Sequence, residues 1–178
     1  HSPYQPYQLL NIPYNDAPFI KTADEAKGEA RKAREHQVQS MLNEIQTVRD
    51  DAATIFVVGD FNEPSGLDWT DSVARAGKCP VAVDWPTIRL VRDAGFVDAY
   101  RKTRPDPLQW PGYTWTPTTA EDDPKDRHDR IDFVLVRGPH AKVAKAEIVG
   151  EGSDRADIIV SPYPSDHRAV VTTVRLEQ

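Results

Sequence analysis

The chain has 178 residues, 39% of them hydrophobic and 28% charged, and a formal net charge of -6. That length favours one domain, or part of a larger one, over two, and no apolar run approaches the roughly 18 residues of a membrane span, so a soluble chain without a membrane span is expected. The negative charge disfavours non-specific binding to duplex DNA, whose affinity comes mainly from Lys and Arg on the phosphates.

The single Cys79 excludes an internal disulfide framework and a Cys-based zinc cluster. The chain opens His1-Ser2-Pro3 with no initiator Met, signal peptide or transit sequence, the pattern of a processed product or a fragment.

From Ser2 to Phe19, four prolines stand among Tyr4, Tyr7 and Tyr14. This composition cannot sustain a helix and predicts an ordered aromatic loop, either packed on the domain or walling a cleft. Thr22 to Glu25 then fits a capping box, and apolar residues from Ala26 to Val48 recur at helical spacing, predicting a long amphipathic helix from about Ala23 to Arg49. Its dense charges read as a solvated outer face, so His36 and the Arg-Lys series receive no role.

Thr54 to Val58 is a short, β-branched apolar run that predicts a strand buried on both faces and ending at Gly59. Helices are expected from roughly Trp69 to Ala76 and from Thr87 to Ala94, the second starting after Pro86 and stopping at Gly95. Further strands are expected at Tyr113 to Thr116, Ile131 to Val136 and Ala169 to Leu176, with a fourth candidate at Lys145 to Val149.

Gly59-Asp60-Phe61-Asn62 places a carboxylate and a carboxamide two residues apart just past a strand, so both can enter one pocket. Asp60 can take a proton from water, and Asn62 can donate to a phosphoryl oxygen as negative charge builds. Taken alone, Asp-x-Asn after a strand is equally a turn.

Ser165-Asp166-His167 stands immediately before the last expected strand. Adjacent acid and imidazole suit metal-assisted phosphate chemistry, with the carboxylate a hard ligand for Mg²⁺ and the imidazole a phosphate contact or proton carrier. Asp132, on a strand otherwise apolar at Ile131, Phe133 and Leu135, needs a partner, and a His whose ring it orients is the natural one. Arg130 would point to the opposite face as a salt-bridge or phosphate group.

Together these motifs resemble the endonuclease/exonuclease/phosphatase superfamily, in which Gly-Asp-x-Asn, Arg-Ile-Asp and Ser-Asp-His follow one another in this order. Tyr113-Thr114-Trp115 is similar to the aromatic strand before Arg-Ile-Asp in many members. The resemblance implies an α/β fold of the deoxyribonuclease I type, a two-sheet sandwich with flanking helices, and a metal-dependent phosphoesterase using Mg²⁺ or Mn²⁺ on a phosphorylated substrate. It implies that Asp60 activates water, Asn62 binds the phosphate or transition state, Asp132 orients His167, and Asp166 lies beside the metal. Trp115 and Arg130 are candidate substrate contacts.

In the family, the metal-binding Glu comes from a strand well before the long helix, and no Glu here fits that context. The expectation is therefore that residues 1–178 form a single partial domain, the C-terminal portion of such a fold, supplying one sheet and perhaps the edge of the other. The N-terminal half would be absent and would act as the chain's partner. His1 lies near the place of the family's catalytic His, and is either that residue or a nearby loop residue. A non-catalytic binding module retaining the fold is the competing reading.

Overall fold

The computed structural model describes residues 20–48, 53–123 and 126–177. His1 and the aromatic segment that follows it lie outside the described residues.

Thr22 starts the first helix: its hydroxyl accepts the Glu25 N–H at 3.2 Å, while the Glu25 carboxylate accepts the Thr22 N–H at 3.1 Å. Helix α1 (Ala23–Ala30) runs through a π-helical turn (Arg31–Glu35) into α2 (His36–Gln46). The buried positions Ala26, Ala30, Arg34, Val38 and Leu42 recur every fourth residue. On a regular α-helix that spacing drifts by about 40° per step. The under-wound π-turn takes back part of the drift and keeps the stripe on one side. Arg34, expected on the solvated face, is instead only 1% exposed.

Strand β1 (Ile55–Asp60) pairs antiparallel with β3 (Asp132–Arg137), which also pairs with the two-residue β2 (Val97–Asp98), in the order β1-β3-β2. The register sets Val57 opposite Leu135 and Gly59 opposite Phe133. These residues face the helices, and Val57, Phe61, Phe133 and Leu135 form one core with Val38, Leu42, Ile88 and Val91 from α2 and α4 (Pro86–Asp93). Phe56, Val58 and Asp60, opposite Val136, Val134 and Asp132, share the other face.

The expectation that β1 is buried on both faces is wrong. Phe56 is 48% and Val58 64% exposed. Among the described strands β1 lies at the edge of its sheet, and a short apolar run does not reveal whether both of its faces are covered.

A second sheet has the order β5-β4-β6. Its long antiparallel pair, β4 (Ala141–Gly150) and β6 (Ala169–Leu176), has a register shift between Val143 and Lys145, and the short β5 (Ile158–Ile159) joins β4 in parallel. Ala146 and Ile148 of β4 pack on Val136 of β3 and on Ala99 and Tyr100 of α5 (Ala99–Thr103). A third cluster gathers Ala26 and Ala30 with Trp69, Trp85, Ile131 and Val73 of α3 (Asp71–Arg75).

The arrangement is a two-sheet sandwich with flanking helices, and the expectation that the chain supplies one sheet is corrected to two. The 113–116 segment contributes only isolated bridges rather than a strand. Among the described residues, no helix is long and apolar enough to cross a membrane.

A charged network joins these parts. The guanidinium of the wholly buried Arg130 donates to Asp68 (Nη2 to Oδ2, 2.7 Å) and to Asp98 (Nη2 to Oδ2, 2.7 Å), and Arg101 Nε donates to Asp68 at 2.5 Å. Asp98 also caps α5 by accepting the Tyr100 and Arg101 N–H groups. Burial works against the charge of Arg130, but Asp68 and Asp98 outweigh it and hold its pKa above the ordinary value. Arg130→Met strands Asp98 in the interior and should destabilise the fold by about 3–5 kcal/mol, as for other broken buried pairs. Urea unfolding of the two proteins measures this, and a loss below about 1 kcal/mol would contradict the assignment.

Candidate active site

Asp60 closes β1 and Asp132 opens β3, and the antiparallel register makes them direct partners. Residues facing each other across such a pair have Cβ atoms roughly 5 Å apart, so two carboxyl groups share one end of one face. The chain then turns sharply: Asn62 has φ 48°, a left-handed conformation that Asn tolerates better than most residues. The turn is closed from within, since the Asn62 N–H donates to Asp60 Oδ1 at 2.6 Å and the Asn62 carboxamide donates to Oδ2 at 2.9 Å. Phe61, between them, donates its N–H to the Ile131 carbonyl at 2.9 Å and packs edge-on against Phe133.

His167 arrives from the second sheet, two residues before β6. Its Nδ1 lies 2.9 Å from Asp132 Oδ2. The turn that carries it is tied at several points: the His167 N–H donates to Ser165 Oγ, and the Tyr163 hydroxyl donates to the His167 carbonyl at 2.9 Å while accepting the Ala169 N–H at 3.0 Å. Asp166 is exposed at this turn, its carbonyl accepting from the Thr116 hydroxyl at 2.8 Å.

The segment around Trp115 stitches the two sheets together. Trp115 bridges both Asp129 and His167, and its indole meets the His167 ring edge-on at 4.8 Å. Thr114 accepts the Ile131 and Asp132 N–H groups on its hydroxyl, and its carbonyl accepts the Arg168 N–H at 2.7 Å. This explains the extended, non-strand course of the segment: its hydrogen bonds are divided between two neighbours.

Electrostatics follow from this packing. Burial pushes the Asp60 carboxyl above its ordinary value, the Asn62 N–H pulls it down, and the nearby Asp132 adds to the rise. The hydrogen bond to Asp132 raises the pKa of His167; burial opposes it, and the charges of Asp132, Asp60 and Asp166 reinforce it.

Asp60, Asn62, Asp132 and His167 are thus brought together, with Asp166 and Trp115 beside His167. Arg130 is not with them. It is 1% exposed, and its guanidinium is bound to Asp68 and Asp98. The substrate contact expected of it is therefore withdrawn, because a buried guanidinium bound to two carboxylates is committed to the interior. His1 lies outside the described residues. The hydroxyls of Thr114, Thr116 and Tyr163 also hold the site; Thr114 stands inside the Tyr113-Thr114-Trp115 motif, but the bonding role of each hydroxyl is set by the fold and not by a local pattern.

The Mg²⁺ or Mn²⁺ implied by the resemblance meets an incomplete donor set. Among the described residues, no group of three or more His, Cys, Asp or Glu side chains could hold a metal ion. These residues do not by themselves fit the ion.

Because the pKa of His167 is raised in the folded protein, the stabilisation is fully present below the unfolded pKa. It is lost as pH rises through the folded value. Asp132→Asn should lower the His167 pKa in an NMR titration of the ring. It should also destabilise the fold most below about pH 6.5, with the gap to the unmodified chain closing at higher pH. A gap independent of pH would break the assignment of the pair.

The Endonuclease/Exonuclease/phosphatase family model matches residues 6–167. The match takes in the segments ahead of the long helix, which overturns the expectation of a C-terminal portion whose N-terminal half is absent. The expectation of that half as a partner falls with it. An uncharacterized protein of Caenorhabditis elegans is 33% identical over 126 residues, covering 65% of this chain and 39% of that protein. The chain thus spans about two-fifths of the length of that relative. With both motifs of the site inside the matched span, the chain belongs to the endonuclease/exonuclease/phosphatase family of hydrolases.

Proposed function

We propose that the chain hydrolyses a phosphate ester, diester or monoester, by in-line attack of water. The observation that carries this reading is the 2.9 Å contact between His167 Nδ1 and Asp132 Oδ2, made beside a carboxyl group, Asp60, in direct register with Asp132. An imidazole anchored through Nδ1 has a fixed tautomer and leaves Nε2 for the substrate. Asp60 takes a proton from the water as its oxygen bonds to phosphorus. The bond to the ester oxygen breaks, and His167 supplies the proton that the leaving oxygen needs.

The pKa shifts support this division. A carboxyl raised toward neutrality is a better general base than an ordinary Asp, and an imidazole raised by Asp132 stays protonated over more of the working pH range. Asn62, whose turn is closed onto Asp60, would donate to a phosphoryl oxygen as its charge grows. Trp115, whose indole meets the His167 ring, would contact the substrate beside the phosphate.

Dependence on Mg²⁺ or Mn²⁺, with Asp166 beside the ion, enters through the family. Such an ion would supply charge neutralisation at the phosphoryl oxygens.

With a chromogenic phosphodiester and Mg²⁺, Asp60→Ala and His167→Ala should each lower kcat by about 100- to 10,000-fold. EDTA should abolish turnover, and added Mg²⁺ should restore it. If either variant keeps full activity the assigned roles fail, and full activity in EDTA removes the metal from the reading.

A further inference from the structure

Behind the Asp60–Asn62 turn, in the interior, lies an ion pair that the reaction does not use. Glu63 follows Asn62 directly and is 0% exposed. Its carboxylate accepts from three groups: Arg34 Nε at 3.0 Å, the Thr87 N–H at 2.7 Å and the Thr87 hydroxyl at 2.5 Å. Arg34 comes from the π-turn of the first helix, and Thr87 from the first turn of α4. One side chain thus ties the residue after Asn62 to two helices that pack on the far side of the sheet.

Stability alone does not account for this pair. Removing a carboxylate and a guanidinium from water costs several kcal/mol for each ion, and apolar residues of similar volume often do as well or better. What an apolar pair lacks is direction: three donors aimed at one carboxylate define where the backbone of residue 63 must sit. Asn62 needs that definition, since it holds a left-handed backbone at φ 48°. The π-turn fits the same reading, because such under-wound turns occur frequently at functional sites and this one contains Arg34.

We propose that Arg34 and Glu63 are positioning residues of the site, a buried ion pair that holds the Asn62 turn in register with Asp60 and Asp132; the proposal rests on the phosphoesterase reading above. Arg34→Met/Glu63→Gln removes both charges while keeping an acceptor for the Thr87 N–H, so no ion is left buried without its partner. Glu63→Gln alone takes the Glu63 charge away from the buried Arg34 guanidinium.

In the full chain, thermal stability should fall in the single variant and recover in the double one. In both, kcat on the chromogenic phosphodiester should stay down at least about tenfold with KM within about threefold, as a displaced reacting group requires. Arg34→Lys, which keeps the charge, should rescue part of kcat. A double variant that regains stability and kcat together would show a structural pair only and overturn the proposal.

Amide hydrogen exchange provides the second readout, independent of turnover. The Phe61 and Asn62 amides should exchange at least about tenfold faster in the double variant, with those of Phe133 and Leu135 unchanged. Unaltered exchange at Asn62 overturns the positioning role even if the unmodified chain proves inactive, an outcome that would sink the phosphoesterase reading by itself.

Discussion

The structure turns on the guanidinium of Arg130. It is buried two residues before the site strand and bound by Asp68 from the loop after β1 and by Asp98 at the start of α5. A planar cation with several donors can satisfy two carboxylates at once, and in a dry interior each must be satisfied. Three segments distant in sequence are therefore held at one junction. Because Arg130 and Asp132 are two residues apart and Asp132 opens β3, the junction also sets where the site end of that strand begins.

Two sheets then contribute in different ways. The first supplies two carboxyl groups by register alone: once β1 and β3 pair, Asp60 faces Asp132. The second supplies the imidazole, whose distance from Asp132 depends on how β6 lies over β3. That packing is apolar and non-directional, with Val170 and Val174 of β6 set against the cluster of Val136, Ala146 and Ile148. The directional element is the Thr114–Thr116 segment, which hydrogen-bonds to Asp132 on one side and to Asp166 and Arg168 on the other. A 2.9 Å contact between sheets is thereby set by hydrogen bonds rather than by hydrophobic fit.

What could be read from the sequence was local. The capping box at Thr22, the strand running into Gly59 and the strand from Ala169 to Leu176 each depend on neighbours within a few residues, and each is found. The motifs could be grouped because their chemistry is complementary and their order specific. The polar interior could not. Arg34 pairs with Glu63 across 29 residues and Arg130 with Asp68 across 62, and a charge on an amphipathic helix looks the same whether it meets water or a buried partner. The exposed face of β1 was hidden for a related reason: Phe56 and Val58 report apolarity, which says nothing of what covers them. Val97–Asp98 and Ile158–Ile159 are too short to show a period at all.

The charge of the site narrows what it can bind. Asp60, Asp132 and Asp166 bring three carboxyl groups to one imidazole, so at most one positive charge stands against as many as three negative ones. Arg34 is the further cation whose charge reaches Asp60, and it is engaged by Glu63 in the interior. A phosphoryl group brings more negative charge, and Coulomb repulsion in a partly buried site is weakly screened. Raised pKa values relieve some of it, since a protonated Asp60 and a protonated His167 both reduce the net negative charge, but protonating Asp60 removes the proposed base. The two requirements conflict unless positive charge arrives with the substrate or beside it. Under the proposed phosphoesterase reading, a divalent cation brought in with the substrate would resolve that conflict, since the described donors do not complete a ligand set by themselves.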